Sequence, residues 1–426
     1  MNPPRRLGGL QKKQGCLHLL FLFVQGVPVP LRLDLQLQIC TGGCDMKSIA
    51  GAVLVVCVLL VGANAGFADG LELVLGPEQF VEANGVDIGV GTYSVPSFVD
   101  WNNDGLRDLV IGSGDGKVRV YLNVGTESNP QFSTYFYAQS NGSDLYCVPA
   151  GCLGCFPRVI YWDADARKDL LAGHGNGTIK IFLNIGTDEN PTFDGGTFLQ
   201  VGQPGLKTNI NVGGRATPSV VDWNNDGKKD LVVGALDGKI HIFINAGTDT
   251  APDFLVKIFA QLAGPPPSDL IVPSQRSSPV ILDLDGDGKK DILTGNTNGE
   301  LLFYNNVATD IAPAFSGYVR VDSNGVPIDL AGTPRSRPFV CDWTLDGYLD
   351  VLIGAGDGKV HLYQTIPAGD LDKDYDIDFI DFALFANYWE HTACGKCGGA
   401  DLVGGDGNVD VNDLQQFVEN WLIGVE

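Results

Sequence analysis

The sequence is poor in basic residues, methionine and histidine. Of 426 residues, 28 are Lys or Arg and 51 are Asp or Glu, which gives a formal charge of −23. Nucleic-acid and anionic-membrane binders need a basic face, so this balance argues against both classes of partner. Charged residues make up only 19% of the chain while Gly reaches 56, which favours short strands and tight turns over a helical bundle. The 44% of hydrophobic residues argues against a disordered chain.

A stretch near the N-terminus has the layout of a secretory signal peptide. A lysine follows Met46, residues 49–61 are almost wholly apolar, and small residues close the segment. We therefore predict a signal peptide at residues 46–68 and a secreted protein, extracellular or on the cell surface, with no membrane span in the mature chain. Residues 1–45 are interpreted as a spurious or disordered extension from a mis-assigned translation start, with a long atypical leader as the alternative.

Export makes disulfide bonds the expected state of the clustered cysteines. These cysteines fall into two groups, so we predict local disulfides, and a zinc site shared by the two Cys-x-x-Cys pairs is the weaker alternative. Cys341 occupies a place held by aliphatic residues in the other repeats and is predicted to be a free core thiol. The clustered residues are Cys147, Cys152, Cys155, Cys394 and Cys397.

An internal repeat organises the middle of the chain. Similar segments begin at Asp100, Tyr161, Asp222, Asp283 and Asp342, so the starts are evenly spaced along the chain. Each unit contains an apolar run, an acidic loop, a second apolar run, a Gly-rich turn and an alternating strand, which is a β-hairpin pattern. Four strands in about 60 residues match one blade of a β-propeller.

The predicted fold class is mainly β, with a propeller of about five four-stranded blades over residues 69–366 and a small α-helical C-terminal domain over residues 367–426. The fifth unit lacks its own fourth strand because the chain leaves at Pro367. Residues 77–80 resemble the start of the fourth strand in the other units. We therefore predict that an N-terminal strand completes the last blade and removes an exposed sheet edge.

The acidic loops follow the pattern Asp-x-Asp/Asn-x-Asp-Gly-x-x-Asp. Alternate side chains in such a loop can converge on one ion, and Ca²⁺ takes six to eight oxygen ligands. An Asx-rich turn without metal is the alternative for any single loop. Loop 2 lacks the first Asp and the Gly, so weak binding or none is expected there. The predicted ligands are Asp100, Asn102, Asp104 and Asp108 in loop 1; Asp163, Asp165 and Asp169 in loop 2; Asp222, Asn224, Asp226 and Asp230 in loop 3; Asp283, Asp285, Asp287 and Asp291 in loop 4; and Asp342, Thr344, Asp346 and Asp350 in loop 5.

With these loops in register, residues ~70–366 resemble the FG-GAP family of calcium-binding propeller repeats, as in integrin alpha chains and many secreted bacterial proteins. The resemblance implies structural Ca²⁺ ions in a propeller. The count of five units differs from the seven blades of the integrin head, so integrin partner surfaces are not transferred.

Aromatic and histidine residues recur at fixed places in the repeats. A tryptophan at the second loop position could line a sugar-binding face, but packing between blades is the favoured interpretation. Two histidines occupy the strand position that Arg119 and Lys180 hold in other repeats. Because charged residues stand at this position elsewhere, we predict that it faces solvent and that the histidines are not a catalytic pair. These residues are Trp101, Trp162, Trp223 and Trp343, with Leu284 in the fourth unit, and His241 and His361.

The C-terminal domain contains two acidic loops, each followed by apolar residues at helical spacing. The first fits a twelve-residue EF-hand loop, with the carbonyl of Asp376 at the seventh position. The second carries one extra residue between its first two acidic residues. Predicted ligands are Asp370, Asp372, Asp374, Asp378 and Asp381 in the first, and Asp401, Asp406, Asn408, Asp410 and Asp413 in the second. The pair resembles a type I dockerin, which implies a cohesin-like partner. A calcium-stabilised cap docked on its own propeller is the alternative.

No catalytic set with a known spacing is present in the sequence. The favoured function is a non-catalytic binding or adhesion module for polysaccharide or a cell-surface protein, tethered through the dockerin-like domain. The alternative is a polysaccharide-degrading enzyme, a lyase or glycoside hydrolase of a cellulosome-like system, and a structural envelope protein is a third class. A lyase would need a cluster of Lys, Arg, Tyr or His around the central channel, and the repeats are expected to supply few such residues.

Overall fold

The computed structural model describes residues 74–147, 154–330 and 332–424. The predicted extension at residues 1–45, the predicted signal peptide at residues 46–68 and Cys152 lie outside these residues. Within the described residues, no helix combines the length and apolar character needed to cross a bilayer.

Five four-stranded antiparallel sheets form the blades of a propeller, as the repeat predicted. Each of the first four blades follows one repeat unit, and within each unit the strands run from the central channel outwards. In order from the channel, the strands are Val95–Val99, Asp108–Gly112, Val118–Asn123 and Phe132–Tyr137 in blade 1; Cys155–Ile160, Asp169–His174, Ile179–Phe182 and Thr197–Phe198 in blade 2; Thr217–Val221, Asp230–Gly234, Ile240–Asn245 and Phe254–Phe259 in blade 3; Ser278–Leu282, Asp291–Gly295, Leu301–Tyr304 and Val319–Arg320 in blade 4; and Arg337–Cys341, Asp350–Gly354, Val360–Tyr363 and Gln79–Phe80 in blade 5.

A short hairpin follows each outer strand and reaches the next blade. Its first strand pairs in parallel with the outer edge of that blade, as Val201 does with Phe254. The hairpins thus link neighbouring blades at the outer rim, in addition to the contacts that the inner strands make with one another at the channel. Their strands are Glu82–Ala83 with Val86–Asp87, Gln139–Ser140 with Ser143–Asp144, Gln200–Val201 with Thr208–Asn209, Gln261–Leu262 with Ser268–Asp269, and Asp322–Ser323 with Val326–Pro327.

The N-terminal strand completes the last blade, which confirms the predicted ring closure. Gln79 pairs with Leu362, and the inner strand of blade 5 contacts that of blade 1. The expected register was wrong. Residues 77–80 were expected to align Phe80 with the phenylalanine that begins the outer strand of other blades, such as Phe132, but Leu75 takes this place. Leu75 bridges to Thr365, is fully buried and joins the core of blades 4 and 5, whereas Phe80 is 37% exposed.

A glycine lies at or next to the end of each second strand, where the backbone of the neighbouring blade comes close. A Cβ at Gly234 would lie 2.3 Å from the carbonyl oxygen of Ser277 in the next blade, far inside van der Waals contact. Gly354 meets the carbonyl oxygen of Ser94 in the same way at 2.3 Å, so the close approach continues across the ring closure. The full set is Gly112, Gly173, Gly234, Gly295 and Gly354.

The recurring tryptophans pack between blades, as the favoured interpretation predicted. Each is buried against a phenylalanine at the edge of the next blade, with ring centroids 5.7 to 6.4 Å apart. Such contacts favour tilted aromatic pairs and bury large apolar areas. They therefore serve the architecture and do not form a sugar-binding face. The pairs are Trp101–Phe193, Trp162–Phe254, Trp223–Phe315 and Trp343–Phe132.

The strand position of the two histidines is not solvated, so that prediction was wrong. His241 and His361 are each 3% exposed, and aromatic rings of the outer strands cover them at centroid distances of 5.0 Å. Burial lowers the pKa of His241 to about 4. His361 lies 2.7 Å from Glu78 of the N-terminal strand. The period-2 pattern missed this burial because both strand faces are covered in a propeller.

The cysteines form two local disulfides, Cys147–Cys155 and Cys394–Cys397. Since these bonds use both cysteines of the C-terminal pair, the alternative of a shared zinc site is wrong. Cys341 is a free thiol whose pKa is raised by burial, as expected for a packed and unreactive position.

The C-terminal residues form a small unit with two helices, α1 (Phe379–Tyr388) and α2 (Val411–Glu419), and a 3₁₀ turn at Cys397–Gly399. Both helices begin with an Asp N-cap and an Asp at N3 that bond reciprocally, which satisfies exposed backbone groups. Phe385 and Phe417 fill the core between the helices. The division of the chain at residues 366 and 367 stays a prediction.

Candidate metal centre in the acidic loops

All five acidic loops connect an inner strand to a second strand, so they lie at the same end of the central channel. In loop 1, the Asp100 carboxylate accepts the backbone N–H groups of Asp104 and Gly105 at 3.3 and 3.0 Å. Asp104 accepts the N–H of Leu106 at 2.8 Å. Gly105 has φ of 89°, which the loop pattern anticipated with a glycine at its sixth position. Backbone donors therefore arrange the loop carboxylates around a common centre.

The last Asp of each loop is buried and joins three segments of its blade. In blade 3, Asp230 accepts the N–H of Asn245 at 2.7 Å and the N–H of Trp223 at 3.0 Å. Burial, opposed by these hydrogen bonds, raises the pKa of the carboxyl, to about 6 in three blades and about 7 in blade 5. Coulombic repulsion from the other loop carboxylates adds to the rise. The five residues are Asp108, Asp169, Asp230, Asp291 and Asp350.

Loop 4 brings three of its four predicted carboxylates together. Oxygens of Asp283, Asp285 and Asp291 all lie within 4.8 Å of one another. Asp287 instead accepts the N–H of Lys289 at 2.9 Å and pairs with the ammonium of the same residue. In loops 1 and 3, the third position is an asparagine, so fewer like charges converge there.

Loop 2 shows an arrangement that competes with a cation. Oxygens of Asp163, Asp165 and Asp169 lie within 4.8 Å of one another. The guanidinium of Arg167, however, forms an ion pair with Asp165 and supplies the positive charge that an ion would bring. Ala166 adopts φ of 60° where the other loops have Gly. Weak binding in this loop stays a prediction.

The first loop of the C-terminal unit forms two overlapping clusters of carboxylates. Asp381 accepts backbone N–H groups from both ends of its loop and shares one cluster with Asp370 and Asp372. It shares the other with Asp378 and the side chain of Asp376, whose backbone carbonyl alone had been predicted as a ligand. Asp374 lies outside both clusters.

The second loop is built on the same plan with one residue more. Asp413 accepts the N–H groups of Leu402 and Val403, and Asp401 accepts that of Gly407 at 2.8 Å. The extra residue leaves the third ligand position without an acidic side chain. The remaining predicted ligands are exposed or partly buried and bond locally, Asp406 to the N–H of Asn408 and Asp410 to the N–H of Asn412.

Unsatisfied oxygens point to a cation in these loops. Among the described residues, three buried side-chain oxygens have no hydrogen-bond partner, and they belong to Thr344, Asp376 and Asp401. All three lie in predicted calcium loops. A buried acceptor without a donor is costly, and a hard cation is the ligand that would satisfy it. The donor set and these oxygens therefore fit Ca²⁺.

Sequence reasoning missed a repeated asparagine and a set of arginines. Asn123 accepts the N–H groups of Gly125 and Gln131 at 2.9 and 3.0 Å and holds the turn to the outer strand. Its equivalents are Asn184, Asn245 and Asn306, so the period itself carried the signal. The expectation of few cationic residues around the channel was wrong, because Arg215, Arg276, Arg335 and Arg337 meet at one end of it.

Comparison with known proteins supports the repeat. Residues 222–294 match the family model described as the FG-GAP-like repeat. No curated protein matches the chain.

Solved structures with the same general fold are distant. The catalytic domain of the GH62 α-L-arabinofuranosidase of Coprinopsis cinerea is 12% identical, with 70% of this chain and 98% of that one covered and a TM-score of 0.41. The exo-β-1,3-galactanase 1,3Gal43A of Clostridium thermocellum is 12% identical, with 68% and 62% covered and a TM-score of 0.41. The Photorhabdus luminescens Tc holotoxin pore is 12% identical with a TM-score of 0.36, and the match covers 70% of this chain but only 15% of that one. At these scores we draw no functional argument from the likenesses.

Proposed function

We propose that this protein is a secreted, calcium-stabilised propeller that acts as a non-catalytic binding module for a polysaccharide or a cell-surface protein. The observation that carries the calcium part is the set of buried oxygens without donors, all in acidic loops. The ions have a structural role in this proposal, because each loop connects the two innermost strands of a blade. Neutralising the loop carboxylates would hold those strands in register.

The carboxylates best buried in the propeller are already committed to the fold. Asp230 and its equivalents accept backbone N–H groups on both oxygens. A glycoside hydrolase needs two carboxyl groups facing each other across a substrate, one of them free to donate a proton. The hydrogen bonds of these residues favour a structural role, which supports binding over hydrolysis.

One observation favours the alternative of a polysaccharide lyase. Arginines and Tyr93 meet at one end of the channel, where guanidinium groups would neutralise a uronate carboxylate and a phenol would be the nearby base. This alternative is therefore kept as the second candidate, and product release decides between it and simple binding.

We further propose that the C-terminal unit tethers the propeller to a cohesin-like partner. Phe379 and Val411 stand at equivalent places at the start of the two helices and are 70% and 64% exposed. Exposed apolar residues at matching positions are typical of an interaction surface. The cap alternative is supported by contacts with the propeller, which include hydrogen bonds of 3.0 Å from Lys373 to Asn324 and 3.5 Å from Gln79 to Tyr375.

The binding proposal is tested with the mature chain from residue 69, passed over immobilised neutral and acidic polysaccharides in calcium and in EDTA. Retention in calcium, its loss in EDTA and no soluble product support the proposal. Release of unsaturated sugars would establish the lyase. Absence of retention on every polymer would contradict polysaccharide binding and leave a protein ligand.

The tether is tested by capture on a panel of cohesin domains. We expect capture in calcium and at least tenfold weaker capture of a Phe379→Ala variant. Val86→Ala, which removes an exposed side chain from a propeller hairpin, is the matched control and should bind as the parent does. If no cohesin captures the chain, the cap alternative replaces the tether.

A further inference from the structure

Three arginines occupy equivalent positions at one end of the central channel. Arg215, Arg276 and Arg335 each lie two residues before an inner strand, in three successive repeats. Tyr93 and Gly154 hold the equivalent places in blades 1 and 2, 61 residues apart along the repeat, although the inner strand of blade 2 begins one residue earlier, at Cys155. All five have a left-handed backbone, with φ between 50° and 93°. The repeat therefore places a ring of five equivalent residues around the mouth of the channel, three of them cationic.

These guanidinium groups lack partners. The Nη1 atoms of Arg215 and Arg276, and both Nε and Nη1 of Arg335, are buried without a hydrogen bond. In the described part of the chain, no ion pair includes any of the three, whereas Arg320 pairs with Glu300 at 2.7 Å. Buried polar donors are normally satisfied, and an unpaired buried charge is more costly still. An anion with several acceptor oxygens would satisfy these donors.

A fourth arginine adds to the same place. Arg337 is 4% exposed and donates to the carbonyl oxygens of Ser94 and Arg335 at 3.3 Å. The guanidinium carbons of Arg215, Arg335 and Arg337 lie 5.7, 4.3 and 5.6 Å from the centroid of the Tyr93 ring. Burial, together with the neighbouring guanidinium groups, lowers the pKa of Arg215 to about 10 and that of Arg337 to about 9. Four like charges thus share one site in an acidic protein.

The cavity between the arginines is small and distant from the calcium loops. Arg215, Arg276, Arg335, Arg337 and Phe156 line a volume of about 20 Å³, which has room for one small group. The inner strand of blade 5 runs from this end to loop 5 at the other end. Seven residues at ~3.3 Å each separate the two sites by roughly 20 Å. An anion bound here would therefore not compete with the carboxylates for calcium.

We propose that this arginine mouth binds the carboxylate or sulfate group of an acidic polysaccharide. Guanidinium forks bind both kinds of oxyanion through paired hydrogen bonds. The Tyr93 ring, which is partly exposed beside the arginines, offers apolar contact to the sugar. The net charge of −23 repels acidic polymers, so retention of such a polymer requires a local cationic site. This inference rests on the proposed function and names the ligand class of the propeller.

The test measures binding of the mature chain, in calcium, to polygalacturonate, dextran sulfate and neutral dextran by isothermal titration calorimetry. A double variant Arg215→Gln and Arg276→Gln is compared with Arg320→Gln, which removes a paired arginine on the outer strand of blade 4. We expect at least a tenfold loss of acidic-polymer binding in the double variant and less than a twofold change in Arg320→Gln. Comparison of the affinities for polygalacturonate and dextran sulfate shows whether the site prefers a carboxylate or a sulfate group.

Fold integrity is followed by circular dichroism. Because the double variant removes unpaired charges, its melting temperature should not fall below that of the parent. If it does, Arg335→Lys keeps the charge but loses the fork, and it should also weaken binding at least tenfold.

Undiminished acidic-polymer binding in folded variants would overturn the inference. Retention of only the neutral polymer would overturn the inference but leave the proposed binding function intact. Binding of no polymer would overturn the inference together with the polysaccharide part of the proposed function, and would leave a protein ligand.

Discussion

Withdrawal of calcium is the perturbation that most directly tests the proposed role of the acidic loops. In the cation-free protein, the other carboxylates of the loop lie close to buried carboxylates such as Asp291 and Asp350. The repulsion between these negative charges contributes to the raised pKa values of the two buried groups. An ion that binds only the folded loops stabilises the protein by mass action, by about 1.4 kcal/mol for each tenfold rise in free calcium above the dissociation constant, per site.

The structure sets the size of the effect. Three propeller loops keep the complete pattern, and loop 5 departs from it only at Thr344. The first loop of the C-terminal unit forms two carboxylate clusters and is counted as the fifth site. Five sites at about 1.4 kcal/mol each predict that the free energy of unfolding rises by about 7 kcal/mol per tenfold increase in calcium. Loop 2 is left out of this count because Arg167 already forms an ion pair with Asp165 there.

The assay is urea unfolding at buffered free calcium concentrations, followed by tryptophan fluorescence. This probe is suitable because four tryptophans are buried between blades and lose those contacts on unfolding. Magnesium at equal concentration is the control for ionic strength, since it prefers smaller octahedral sites. A free energy of unfolding that does not change with calcium would refute the proposed role of the loops. A slope corresponding to a single ion would limit that role to one site.

Three further outcomes are expected. In calcium-free buffer, the melting temperature should rise as pH falls from 7 to 5. Asp108 and Asp291 have folded pKa values of about 6, above those of the unfolded chain, so the folded state takes up more protons over this range and gains stability. Bound calcium should make this rise smaller. Gly234→Ala should cost about 3 kcal/mol in urea unfolding, since its Cβ would meet a carbonyl oxygen of the next blade, while Gly317→Ala, with open space around it, should be near neutral. Asp230→Asn should cost about 2–3 kcal/mol in the same assay, since an amide keeps the shape but loses one of two backbone hydrogen bonds; an unchanged midpoint would contradict its structural role.

The blade and its local chemistry could be predicted from the amino-acid sequence. The repeat period, the turn glycines and the alternating strands depend on contacts between residues close in the chain. The loop geometry is local for the same reason, as Gly105 and its neighbours show. The packing of Trp223 between blades was also predictable, because a residue repeated in four of the five units meets an equivalent phenylalanine in each of them.

Closure of the ring was predicted, but the register of the closing strand could not be read from local patterns and required the folded molecule. Arg337 bonds to Ser94, 243 residues earlier, and the register of Leu75 depends on a strand pairing across the whole domain. Strand periodicity is blind to such contacts, and it also misjudged His241, since a sheet covered on both faces has no solvated side. The arginine site has the same physical origin: Arg215, Arg276 and Arg335 belong to three different blades, and only assembly of the ring brings their charges together with that of Arg337.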